Sequence, residues 1–272
     1  MDEQTVTTVV SSGAIGAAGA YAVFKFFGDK LLSNLFSKDL EKFKADLTKD
    51  NNVKLEQVKS DLLLIAKNEE RTFSREARMK QYKFPLLHAA NDLQSRFFNI
   101  LEQRLCEYYG QSNVVEHRNY VVNNTCFLIA QYFAWAEIIR KDIQFIELGS
   151  NDSARELSTL IDSIYSIFQS DSFDEQLFIW AGEQRGLGEL LIKTQEKESY
   201  CIGYASFLDI FESTDNVLFL SLKRKVTSLI NDPEIGYQRL VSLQNSLIDL
   251  MFFLDPSYGR FPEDKRQKVK LS

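Results

Sequence analysis

VVEHRNYVVNNTCFLIAQYFAWAEIIRKDIQFIEL, residues 114–148, decides the fold class. Val121, Phe127/Leu128, Gln131/Tyr132, Trp135, Ile138/Ile139, Ile143 and Ile146 recur at steps of three and four, the period of an α-helix. Neither Gly nor Pro interrupts the run, and Gly149 followed by Ser150-Asn151-Asp152 ends it. A helix of this length needs other helices to cover it, so the reading works outward to its neighbours.

On the N-terminal side, Leu86, Ala89/Ala90, Leu93, Phe97, Ile100/Leu101 and Leu105 repeat the same spacing, with Gly110 as a natural stop. Pro85 either kinks the preceding helix or opens a new one. On the C-terminal side the pattern predicts helices over 154–168, 188–194, 200–211, 217–230 and 234–253. A less regular stretch lies at 171–188, and Pro256 and Pro262 close the ordered region.

The composition agrees. The chain has 272 residues with 12 Gly and 4 Pro. Together these are about 6% of the residues, roughly half the usual share, which leaves few turn formers for a many-stranded fold. No alternation of strands with helices points to a Rossmann or barrel enzyme, and no repeat of solenoid length is seen. The fold class is therefore all-α: an N-terminal single transmembrane helix, a charged helical stalk and a multi-helix cytosolic bundle. The domain boundaries read as 1–28 for the transmembrane segment, 29–82 for the stalk, 83–256 for the bundle and 257–272 for a basic tail.

The transmembrane reading rests on QTVTTVVSSGAIGAAGAYAVF, residues 4–24, which contains no formal charge. At 1.5 Å per residue it spans roughly 30 Å, one hydrocarbon core. Asp2 and Glu3 precede it, and Lys25, Lys30, Lys38 and Lys42 follow. The basic flank places the N-terminus outside and the remainder in the cytoplasm of a bacterial inner membrane. Thr8, Ser12, Gly16 and Gly19 share a small or polar face of the kind that lets helices pack closely in lipid. That face either lines a path through an oligomer or only packs an anchor. A helix buried in protein is the alternative to a span.

Residues 29–82 alternate acids and bases. Phe36, Leu40, Phe43 and Leu47, then Leu55, Val58, Leu62 and Ile65, form two apolar stripes broken at Lys49-Asp50-Asn51-Asn52. They fit either a coiled-coil-like stalk that sets an oligomer or an amphipathic helix folded back on the bundle.

Net charge is −6 and the sequence pI is about 5.2, without the basic surplus that phosphate neutralisation requires, so no nucleic-acid partner is expected. Cys106, Cys126 and Cys201 show no metal or disulfide spacing. No P-loop, GxSxG or HExxH motif occurs, so neither catalysis, a cofactor nor a metal is expected. The most polar knot in an apolar stretch is Glu183-Gln184-Arg185-Gly186-Leu187-Gly188-Glu189. Arg96, Glu183 and Arg185 are the candidate ligand cluster, with a structural ion pair as the plainer alternative. The tail's Arg260, Lys265, Arg266, Lys268 and Lys270 would either touch anionic lipid or sit in solvent.

SKDLEKFKADL (37–47), Pro85-Leu86-Leu87, DLQSRFFNIL (92–101), AQYFAWAEIIRKDIQF (130–145), GEQRGLGELLI (182–192), CIGY (201–204) and QNSLIDLMFFLDP (244–256) resemble a family of uncharacterised bacterial membrane-anchored all-helical proteins. The resemblance implies a bacterial, mostly helical protein and brings no activity with it.

The function expected is that of a non-enzymatic single-pass membrane protein. Its cytosolic domain would bind a partner or signal and assemble the transmembrane helices as a homo-oligomer, as a channel or defence effector. The alternative is a membrane tether or soluble helical scaffold without a pore. The lipid bilayer, further copies of the chain and a protein partner are the expected contacts.

Overall fold

The computed structural model describes Lys25, Ser37 and residues 52–144, 152–196, 198–213 and 215–270. The transmembrane segment expected at 1–28, including Thr8, Ser12, Gly16 and Gly19, lies outside the described residues apart from Lys25. So does the stalk before Asn52 apart from Ser37. Among the described residues no helix is long and apolar enough to cross a membrane.

The protein is mostly helical, as the periodicity predicts. Helix α1 runs Asn52–Glu102 and is followed by a π-turn at Cys106–Gly110. Next come α2 (Val115–Gln144), α3 (Asp152–Phe168) and α4 (Ala181–Leu191). Strands β1 (Ile192–Gln195) and β2 (Glu198–Cys201) then form an antiparallel hairpin. Helices α5 (Tyr204–Glu212), α6 (Val217–Asn231) and α7 (Tyr237–Leu254) complete the order, with a 3₁₀ turn at Glu263–Lys265.

The chain divides into two compact units, Met1–Arg71 and Thr72–Ser272. In the first, the described stretch 52–71 is helical and every residue from Ser60 to Glu70 is exposed. Pro85 neither ends nor begins a helix; it sits inside α1, where its missing N–H leaves the carbonyl four residues earlier without its helical partner. The boundary expected at 82/83 is thus not a helix boundary.

In the second unit α2 is the central element. Between Cys126 and Ile139 only Gln131 and Trp135 escape full burial. The sequence predicts a stripe, but Ile129, Ala130, Phe133, Ala134 and Ala136 are buried too, because α3, α4, α5, α6 and β2 all pack on this helix. A helix apolar all round belongs inside. Each fully buried Phe or Leu here contributes about 1.5–3 kcal/mol. By contrast α3 lies on the surface and buries Ala154, Leu157, Ile161, Ile164 and Phe168, one face at steps of three and four.

Three expectations are corrected. The irregular stretch assigned to 171–188 contains most of α4, and the helix expected at 188–194 ends at Leu191. Residues 192–201 form a hairpin where helices were expected on both sides. The register Gln195↔Glu198 leaves a two-residue turn, with Glu196 in the left-handed region at φ 50°.

The third correction concerns the tail. Residues 257–270 are docked, and Val269 and Arg266 are buried. Gln244 of α7 donates to the Gln267 carbonyl at 2.8 Å and accepts from the Val269 amide at 3.2 Å, as a neighbouring strand would. Asn245 donates to the Val269 carbonyl at 3.0 Å, and Gln94 of α1 donates to the Lys265 carbonyl at 3.2 Å. Lys268 pairs with Asp249 at 2.5 Å.

Candidate functional site

The polar knot 183–189 resolves into a packing junction. Glu183 accepts the Trp180 amide at 3.1 Å and so closes the first turn of α4. It also accepts from Ser221 at 2.8 Å and from Lys225 at 2.6 Å, both on α6. Burial pushes the Glu183 carboxyl up. Its hydrogen bonds from Lys225, Ser221 and the Trp180 amide, with the Lys225 charge, outweigh that and hold it below the usual carboxylate value.

Gln184, fully buried, donates to the Ile179 carbonyl at 2.7 Å and the Tyr165 carbonyl at 3.1 Å. A Cβ at Gly186 would stand 2.6 Å from Leu218 Cδ1, and one at Gly188 2.7 Å from the Phe133 carbonyl oxygen. Glu189 pairs with Lys141 at 3.1 Å. Lys141 and Arg140 in turn pair with the fully buried Glu137 at 3.7 and 2.5 Å.

The three expected site residues differ in their surroundings. Arg96 donates to Asn124 and stands 6.0 Å from the Tyr120 ring; burial lowers its pKa. Glu183 is held by Lys225, and Arg185 is exposed. Among the described residues no ion pair joins the three, and the ion pair that does form is the structural one, with a different base.

Two further centres of buried charge hold three side chains, Arg239, Asp255 and Arg266. Arg239 of α7 donates to the carbonyls of Ile167 (2.5 Å), Phe168 (3.1 Å), Ser170 (3.2 Å), Asp174 (2.7 Å) and Gln176 (3.0 Å). It thereby caps the C-terminal end of α3 and gathers the loop that follows. Burial lowers its pKa.

Asp255 and Arg266 form the other centre. Asp255 accepts from the amides of Gly259 (2.9 Å), Arg260 (3.1 Å) and Phe261 (3.4 Å) and from the Arg266 guanidinium. Burial raises its pKa, but these bonds outweigh burial and hold the carboxyl below its ordinary value. Arg266 also donates to the Met251, Asp255 and Phe261 carbonyls. The two centres are structural: each side chain is occupied by backbone or by its partner.

The three cysteines are free thiols. Burial pushes Cys106 up to about 11, Cys201 up to about 12 and Cys126 higher still, so none is an activated nucleophile.

Two concave surfaces stand out among the described residues. A cleft of about 430 Å³ lies between α1, α2 and the hairpin, lined by Tyr82, Pro85, Trp135, Gln195, Glu196, Glu198, Ser199 and Tyr200. A shallower hollow of about 700 Å³ lies along α6, at Val217, Leu220, Lys223, Arg224 and Thr227. Val217 is 74% exposed and Leu220 45%, so this face is apolar with two cations beside it. Periodicity gave no sign of the first cleft, because its walls come from three elements far apart in the chain.

No protein-family model, no curated protein and no solved structure matches the chain. The resemblance of its sequence phrases therefore assigns the chain to no family.

Proposed function

We propose that the protein is a non-enzymatic membrane-anchored assembly protein whose copies associate through the helical segment ahead of residue 72. The observation that carries this reading is the exposure of four consecutive apolar residues, Leu62, Leu63, Leu64 and Ile65. Leu63 is 71% exposed, and the others range from 36% to 56%. Successive helical positions are 100° apart, so these four cover most of the circumference. A full turn of apolar side chains left open to water is a surface for a covering partner in the working protein, and further copies of the same helix supply apolar partners in register.

The charge-free segment 4–24 supports a bilayer as the place of assembly. The face formed by Thr8, Ser12, Gly16 and Gly19 would then pack the anchors together or line a path between them. On the second unit, Val217 and Leu220 beside Lys223 and Arg224 suit a protein partner offering apolar and acidic side chains.

Carbonate extraction of membranes from expressing bacteria tests the anchor. Retention in the pellet is expected, and release into the supernatant would overturn it. Ion flux through liposomes carrying the assembled protein separates a pore from a tether: flux lost in Gly16→Leu supports the pore, and no flux from a confirmed oligomer supports the tether.

A further inference from the structure

We propose that the cleft between α1, α2 and the β-hairpin is a binding site for a quaternary alkylammonium group. Three aromatic side chains from three elements border it: Tyr82 of α1, Trp135 of α2 and Tyr200 of β2. Two carboxylates, Glu196 and Glu198, stand at its hairpin end.

Each part points to a large organic cation. A volume of about 430 Å³ suits a small ligand rather than a bare ion. The central stretch of α2 is buried on all sides except at Gln131 and Trp135, so the packing opens at an indole, the ring that attracts cations best. Tyr200 is 42% exposed although it lies on a short hairpin packed against α2. Strand alternation places Glu198 and Tyr200 on the same face of β2, a carboxylate beside an aromatic ring.

A metal ion fits poorly, since among the described residues no three His, Cys, Asp or Glu side chains are grouped to hold one. A primary ammonium is strongly hydrated, and aromatic faces do not replace its water. A trimethylammonium group sheds water readily, lays its methyl groups on the rings and keeps its charge near the carboxylates. Free choline and the headgroup of a choline phospholipid share this chemistry.

The inference concerns residues 72–272 and does not depend on the membrane reading, so carbonate extraction and this test fail independently. The chain has two tryptophans, Trp135 and Trp180. Trp180→Phe leaves Trp135 as the sole indole reporter. The full-length Trp180→Phe protein, in a maltoside detergent, is titrated with choline, with glycerophosphocholine and with 3,3-dimethylbutan-1-ol, the neutral isostere of choline. Titration calorimetry of the unsubstituted protein repeats each arm.

A saturable change with either trimethylammonium compound, at least tenfold weaker with the neutral alcohol, is expected. Tighter binding of glycerophosphocholine assigns the lipid headgroup, and tighter binding of choline assigns the free cation. Glu198→Gln is expected to weaken binding several-fold and Tyr200→Ala to weaken it tenfold or more. Equal responses to choline and the neutral alcohol, no saturable response to either trimethylammonium compound, or unchanged binding in Tyr200→Ala would overturn the assignment.

Discussion

Gly188 of α4 lies against Phe133 of α2 so closely that a Cβ at position 188 would stand 2.7 Å from the Phe133 carbonyl oxygen and 2.8 Å from its carbonyl carbon. The obstacle is backbone, which cannot rotate away as a side chain can. The glycine therefore sets the distance between the central helix and α4. Glu183, five residues earlier on the same helix, meets the α6 residues that hold it.

Gly188→Ala is expected to cost about 2 kcal/mol or more, since overpacking a core by one methyl forces the helices apart. Gly182→Ala, where nothing stands within 4 Å of the added carbon, is expected to be neutral or slightly stabilising. Urea unfolding of the two variants side by side checks the contrast.

Arg239 holds five backbone carbonyls, and Lys has three donors on one nitrogen. Arg239→Lys is expected to leave some of these carbonyls buried and unpaired, at a cost of about 3 kcal/mol. Hydrogen exchange should show lost protection concentrated at the end of α3 and in residues 169–180. Uniform loss across all helices would contradict a local role.

Asp255 sets an acid limit on stability. Its carboxyl is held below the ordinary value near 3.9, so the unfolded chain binds the proton first. Its contribution is fully present above that value and is lost as pH falls through the lower folded value. In Asp255→Asn, stability should be lower at neutral pH and should fall less steeply between about pH 4 and pH 2. Unfolding curves across that range check both the offset and the slope.

The docked C-terminal segment makes a further prediction. Ending the chain after Asp264 removes Arg266 from Asp255, and the backbone of 267–269 from Gln244 and Asn245. Both amides and the carboxylate lose partners in the interior, so the melting temperature should fall by several degrees. A melting temperature equal to that of the full chain would show the segment to be dispensable.

How much of this was legible depended on the kind of signal. Helix α3 could be read because it buries one face only. Helix α2 could be read as a helix but not as the centre, because a stripe and an all-round apolar helix look alike when Trp and Tyr alternate with Ala. The start of α4 was hidden: Trp180 is not a capping residue by type, and Gly186 and Gly188, unfavourable inside a helix, serve close packing. The hairpin was hidden because its strands have four residues each and the sequence between them, 196–197, holds neither Asn nor Gly.

The candidate site was legible only in part. Glu183 stood out as a charge in an apolar stretch, but its partner Lys225 lies 42 residues away and no local spacing marks it. Arg266 read as a tail cation and Arg239 drew no reading at all, because backbone carbonyls, their main partners, leave no trace in the order of side chains. Tyr82, Trp135 and Tyr200 meet only through the fold.

The exposed run Leu62–Ile65 bears on the central claim most directly. The particle mass of the full-length protein, measured in detergent by light scattering, should be a multiple of the 31.4 kDa chain. In Leu63→Gln/Leu64→Gln the mass should drop, with the helical content unchanged. A single-chain mass for the unsubstituted protein, or a multiple that survives the double substitution undiminished, would contradict assembly through this helix.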